Sequence, residues 1–122
     1  MLKDDLYTIL VINTQSTPVN ITLQLNEKHA IYNGHFPGQP VVPGACLMQI
    51  IKEITEVIIE GKLQMLRADE LKFLTPVNPV DNNILHGNIS YVVDDNAQMN
   101  VVANLSQNNT VCFKCKMAFI RK

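Results

Sequence analysis

"PGACLMQIIKEITEVIIEG", residues 43 to 61, decides the architecture. Leu47, Ile50, Ile51, Ile54, Val57 and Ile58 recur with the 3.6-residue period of a helix, while Gln49, Glu53, Glu56 and Glu60 line the opposite face. Pro43 suits a first-turn position, where its missing N–H is no loss, and Gly61 suits the far end. The spacing predicts one amphipathic helix from Gly44 to Glu60.

The segments on either side alternate as strands do. Ahead of the helix lie Leu6 to Asn13 and Val19 to Leu25, the latter setting Ile21, Leu23 and Leu25 against Thr22 and Gln24. Behind it, strands are expected at Ala68 to Leu74, Ile84 to Val93, Met99 to Ser106 and Thr110 to Ile120. "DDNA" and "QNNT" separate the last three and carry the Asn and Asp that tight turns favour. A single helix among antiparallel strands predicts an α+β fold, a sheet wrapped around that helix as in a hot-dog. A length of 122 residues predicts one domain over positions 1–122.

Composition narrows the function classes. A 47% apolar and 17% charged chain is an ordinary globule, and a net charge of −1 leaves no footprint for nucleic acid or an anionic membrane. No apolar run approaches the ~20 residues that span a bilayer. Met1 to Thr14 lacks a small-residue cleavage site and reads as a first strand rather than a leader, so a cytoplasmic setting is expected.

Three cysteines make no disulfide framework. Cys112 and Cys115 form a C-x-x-C, but "TVCFKCKMAFI" alternates like a strand, with Val111, Phe113, Cys115, Met117 and Phe119 on one face. Residues three apart on a strand point to opposite faces, so these thiols should neither bridge nor share a metal. Cys46 reads as a small buried filler. His29 and His86 have no companion at ligand spacing and read as surface or packing residues. Met48, Met65, Met99 and Met117 fit a core or an acyl tunnel, with core the expectation. No metal site is expected.

The loop before the helix is where chemistry is expected. Residues 31–49, "IYNGHFPGQPVVPGACLMQ", place His35 among three prolines and three glycines, a density that fixes the backbone path. Phe36-Pro37-Gly38-Gln39 has type II turn chemistry. Because Pro43 has no N–H, the first unpaired helix donors should be those of Gly44, Ala45 and Cys46. Gly44 has no side chain, so a ligand carbonyl could approach its N–H closely. One imidazole near an oxyanion-type seat suffices for proton chemistry beside a carbonyl, although isolated histidines in loops are usually structural.

At these residues a family likeness enters. "GHFPGQPVVPG", Gly34 to Gly44, resembles the signature G-H-F-P-G-x-P-V-[MV]-P-G of the 3-hydroxyacyl-acyl carrier protein dehydratases and meets it throughout. "ELKFLTPVNPVDN", Glu70 to Asn82, is similar to the family's "KFxxPVxPGD", with Val80 where Gly is usual. The resemblance implies a hot-dog fold, active sites at subunit interfaces of a dimer or trimer of dimers, and dehydration of a 3-hydroxyacyl thioester without cofactor. It implies His35 as the residue that moves the C2 proton and Gly44 as the amide that polarises the thioester carbonyl, with Ala45 and Phe36 as substrate-binding neighbours. The implied partner is acyl carrier protein. That acidic protein would want basic residues at the pocket mouth, for which Lys28, Lys52, Lys62, Arg67 and Lys72 are available.

One position departs. Five residues after Gly44 the family carries Glu or Asp, and here stands Gln49. Three readings compete: Gln49 belongs only to the polar stripe; it orients the hydroxyl while protonated His35 returns the proton; or the site binds acyl chains without dehydrating them. Glu53, one turn on and ~6 Å along the axis, is expected to be too far away to substitute. The alternative function is therefore a non-catalytic or assisting subunit. Thioester hydrolysis is weaker, since hot-dog thioesterases generally use a helix carboxylate to activate water.

Overall fold

The computed structural model describes residues 1–33 and 40–122, so His35, Phe36 and the expected turn at 36–39 lie outside the described residues. β1 (Tyr7–Asn13) and β2 (Val19–Leu25) precede a short 3-10 turn at Ala30–Tyr32; then come α1 (Gly44–Ile59), β3 (Leu63–Phe73), β4 (Ile84–Val93), β5 (Met99–Gln107) and β6 (Thr110–Arg121). All six strands join one sheet in the order β1-β2-β4-β5-β6-β3, and every pairing is antiparallel.

The inner face of this sheet meets α1, the expected hot-dog arrangement. Ile50, Ile51 and Ile54 are fully buried against Ile21, Leu23, Leu85, Ile89, Val101, Leu105, Met117 and Phe119. Each isoleucine so buried contributes about 1.5–3 kcal/mol. The hydrophobic face of the helix thus holds the sheet curved around it. Met99 and Met117 are core, while Met48 and Met65 pack at its edge.

Both ends of α1 differ in detail from expectation. The helix stops at Ile59, and Glu60, not Gly61, takes the left-handed conformation with φ 56°. The N–H groups of Glu60 and Gly61 then close onto the carbonyls of Val57 and Glu56, a Schellman pattern that needs one left-handed residue. At the N-terminus, Cys46 N–H donates to Pro43 O at 2.9 Å, which removes it from the expected set of free donors. Among the described residues, only the Gly44 and Ala45 N–H groups at the helix head lack a partner.

β3 begins at Leu63, five residues before the expected Ala68. "LQMLRADELK" is rich in strong helix formers, and pairing with β6 from Leu63↔Arg121 to Phe73↔Phe113 overrides that preference. A second difference falls on the cysteines. The register between β5 and β6 shifts at Leu105/Ser106, leaving Cys112 as an extra, bulged residue whose side chain is buried like that of Cys115. Cys112 Sγ donates to Leu105 O, and all three cysteines are free thiols. "QNNT" forms the expected tight hairpin, with Asn108 and Asn109 both at positive φ.

Candidate functional site

The head of α1 opens onto an apolar groove of about 440 Å³. Val41 and Val42 from the entry segment, Gly44 and Leu47 from the helix, and Phe73, Thr75, Pro76 and Val77 after β3 line it. Two backbone ties hold these segments together. Val42 N–H donates to Val77 O at 2.9 Å, and Leu74 N–H donates to Cys112 O at the bulge, also at 2.9 Å. The stretch around "PVNPV" is fixed in turn by Gln107, whose Nε2 donates to the carbonyls of Asn78 and Asn82.

Gly44 also makes room for a neighbouring aromatic ring. A Cβ at this position would lie 2.8 Å from Phe73 Cε1, because the aromatic ring occupies the space a side chain would take. Phe73 stacks in turn on buried Phe113 at 5.1 Å between centroids, yet remains half-exposed toward the groove. The result is a bare amide beside an aromatic wall, with the positive end of the helix dipole behind it. Such a seat polarises a carbonyl, and an alkyl chain fits the apolar lining.

Two acids of the polar stripe of α1 are buried, while Glu60 is exposed. Glu53 is 1% exposed and Glu56 is also buried. The N-terminal segment crosses the stripe: Leu2 N–H and Gln49 Nε2 donate to Glu53 Oε2 at 3.0 and 2.9 Å. Lys3 N–H and Tyr7 Oη donate to Oε1 at 2.8 and 3.1 Å. Burial pushes the Glu53 carboxyl up, but these hydrogen bonds outweigh it and hold the group below its usual range. The same arrangement drives Tyr7 far above the ordinary phenol value, through burial first and the Glu53 charge second. Glu56 accepts from Leu63 N–H at 2.8 Å and so anchors the start of β3.

Glu53 lies one turn beyond Gln49, as expected, and the two side chains touch through the 2.9 Å contact. Sequence spacing gave the signal, since residues four apart on a helix are neighbours. What it did not give is the N-terminal segment at Leu2 and Lys3, whose N–H groups cover the Glu53 carboxylate. Tyr32 is a second group that sequence reasoning passed over. Its hydroxyl is buried without a partner among the described residues, and burial lifts it to about 12, with Cys46 at the helix head as the next cause.

The other candidates take bland roles. His29 Nδ1 accepts from Ile31 N–H at 3.0 Å and its Nε2 faces Asp5 at 3.2 Å; His86 pairs with Thr22 across β2 and β4. Burial raises the Cys46 thiol. Among the described residues no cluster has the make-up of a metal site, and no helix is long and apolar enough to cross a membrane. The five basic residues singled out from sequence do not gather. Lys52 sits by Glu56, and Arg67 pairs with Asp69. Lys72, however, stands directly across from Lys114, with Lys116 and Lys72 both near Glu70 at 4.0 and 3.0 Å.

A family model for ApeI-like proteins, described as ApeI dehydratase, matches residues 11–103. The chain belongs to the ApeI-like dehydratase family. The match covers the groove, the head of α1 and Gln49, and it agrees with the likeness carried by residues 34–44. A 3-hydroxyacyl-[acyl-carrier-protein] dehydratase FabZ of Wolbachia sp. subsp. Drosophila simulans (strain wRi) is 33% identical over 81 residues, 61% of this chain and 57% of the relative. The FabZ of Rhizorhabdus wittichii is 32% identical over 79 residues, 57% of this chain and 48% of the relative. The chain thus spans about half the length of these curated relatives.

Solved structures place the ApeI-like chain firmly in the hot-dog fold. The dehydratase heterocomplex ApeI:P from Xenorhabdus doucetiae superposes with a TM-score of 0.71 at 20% identity, over 93% of this chain and 97% of that one. A putative thioesterase, a phenylacetic acid degradation-related protein from Ralstonia eutropha JMP134, superposes at 0.64 with 17% identity, over 93% and 83%. The fold therefore serves both kinds of protein, and the site residues have to carry any choice between activities.

Proposed function

We propose that this chain dehydrates a 3-hydroxyacyl thioester, carried on acyl carrier protein, to the trans-2-enoyl thioester in fatty acid or related lipid or polyene synthesis. The observation that carries the reading is the apolar groove running to the Gly44 amide at the head of α1, which has no partner among the described residues. The acyl chain lies in the groove, and the thioester oxygen accepts from Gly44 N–H, with Ala45 N–H beside it. His35 takes the C2 proton, and the electron pair moves onto the polarised carbonyl. It then returns to form the C2–C3 double bond as the C3–O bond breaks. The imidazolium hands its proton to the departing hydroxyl, which leaves as water. Gln49 orients that hydroxyl, since a neutral amide forms hydrogen bonds but delivers no proton. Metal and cofactor have no step in this scheme.

Two surface features support the partner assignments. The unpaired edge of β3 runs 11 residues and leaves Leu66 and Phe73 exposed, which fits self-association by strand addition into a dimer or a trimer of dimers. Lys72, Lys114 and Lys116 around a single Glu70 form a cationic excess on adjacent strands, as an acidic carrier protein requires. A second reading is favoured by Gln49 and by the heteromeric make-up of the ApeI:P complex. Here the chain is an assisting subunit whose related hot-dog partner supplies the acid.

Incubating the purified chain with short and long 3-hydroxyacyl thioesters and measuring the enoyl product tests both. Turnover by the isolated chain that is lost in His35→Ala supports the dehydratase. Full activity in His35→Ala refutes the mechanism, and turnover only after co-expression with a related chain favours the assisting role.

A further inference from the structure

We propose that Glu53 is the positioning residue of this site, fixing the Gln49 amide with Nε2 turned inward and the carbonyl Oε1 turned to the substrate hydroxyl. The inference rests on the dehydratase reading for that hydroxyl and its place beside Gln49, while the Gln49–Glu53 contact stands independently. An ionised carboxylate only accepts hydrogen bonds, whereas an amide both donates and accepts through ends of nearly equal shape. The contact of 2.9 Å between Gln49 and Glu53 Oε2 is therefore possible in one amide orientation and repulsive in the other.

The carboxylate itself cannot turn away. Each of its oxygens receives two donors, Leu2 N–H and Gln49 Nε2 on Oε2, Lys3 N–H and Tyr7 Oη on Oε1, so every lone-pair direction is occupied. Fully buried Ile50 and Ile54 flank it on the same helix. Anchoring two backbone N–H groups does not require a buried charge, because a neutral carbonyl does that with far less desolvation. Only an acceptor without donors sets which end of Gln49 faces outward. With Nε2 engaged, Oε1 receives the O–H of a 3-hydroxyl and keeps the C3–O bond aligned for departure. The proton that completes the water still comes from the imidazolium. Glu53 never touches substrate, and its influence passes entirely through Gln49.

The experiment combines kinetics of the full chain with side-chain amide NMR. Glu53→Gln should lower kcat roughly ten- to hundredfold with little change in KM, as expected for a misplaced orienting group. Tyr7→Phe removes a different donor from the same carboxylate, and should lower the melting temperature while keeping kcat within about twofold. In a Gln49→Ala background, Glu53→Gln should lower kcat no further, because there is nothing left to position. In 15N spectra one Gln49 side-chain N–H should be shifted downfield and slow to exchange in the unmutated chain and in Tyr7→Phe, but not in Glu53→Gln. Equal exchange of both Gln49 protons in the unmutated chain overturns the proposal without any substitution, as does an undiminished effect of Glu53→Gln in the Gln49→Ala background. If the unmutated chain forms no enoyl product, the dehydratase reading and the hydroxyl ligand both fall, while the NMR result alone decides the amide orientation.

Discussion

Restoring the family acid by Gln49→Glu brings two carboxylates together, and the outcome follows from their contact. Gln49 Nε2 lies 2.9 Å from Glu53 Oε2. Two unit charges with centres about 4 Å apart repel by about 1 kcal/mol in water and about 4 at an effective dielectric of 20. A half-buried position takes roughly the middle, about 2–3 kcal/mol, or about two pK units. Glu53 keeps its charge because Leu2, Lys3 and Tyr7 still donate to it. The new carboxyl therefore takes the proton, and its pKa rises from about 4.3 to about 6–6.5. Its single O–H then points at Glu53, just as the amide N–H does, so the proton is not offered to substrate. Dehydration near pH 5.5 should stay within several-fold of the unmutated chain and decline as pH passes about 6.5. Because the folded pKa of this acid is raised, the variant is penalised least below about pH 4.3 and loses about 2–3 kcal/mol relative to the unmutated chain by pH 7. Denaturant melts across pH, with turnover at the same points, check both limbs. A pH-independent stability difference refutes the contact, and a gain of a hundredfold or more refutes the claim that the proton is held inward.

Gly44→Ala sets a methyl 2.8–2.9 Å from the Phe73 ring and should destabilise by about 1–3 kcal/mol, with Phe73→Leu in the same chain recovering most of it in thermal melts. Tyr32→Phe removes a buried hydroxyl that has no partner among the described residues and should leave stability unchanged or raise it by up to about 1 kcal/mol; a loss beyond that in denaturant melts would show that the hydroxyl is bonded. Glu53 has a folded pKa below its ordinary 4.5, so it contributes stability above that value and loses it as pH falls through the folded pKa. The acid limb of the stability curve should accordingly flatten in Glu53→Gln, as followed by circular dichroism.

The fold was legible because two unmistakable periods, 3.6 in residues 44–60 and 2 in the strands around them, point to one arrangement. Val19–Leu25 and Ile84–Val93 emerge with the expected bounds. The early part of β3 was not legible, since Leu, Gln, Met, Arg and Ala favour a helix and only the long-range pairing with β6 makes them extended. Cys112 escaped the alternation because a bulge inserts it as one extra residue, while the expected facing holds from Phe113 onward. At the site, the sequence marked Gly44 and Gln49 and put Glu53 and Glu56 on the polar face of the helix, but it did not show their burial. Burial of Glu53 depends on a segment some 50 residues earlier crossing the helix, and no local pattern announces such a contact.

That crossing gives Gln49 a physical rationale. A Glu or Asp in the same place on a helix without Glu53 next to it would ionise or donate according to its surroundings. Beside a carboxylate already saturated by the N-terminal segment, a second acid is either repelled or forced to spend its proton on its neighbour. Gln is the residue of the same length that meets an ionised Glu53 without a charge and still presents an oxygen outward. The departure from the family acid is thus coupled to the buried Glu53, and the two positions behave as one unit. On this account, changing Gln49 alone does not recreate an acid site, and a functional carboxyl at position 49 requires Glu53 to be replaced in the same chain by a neutral residue that still accepts from Leu2, Lys3 and Tyr7, as glutamine does.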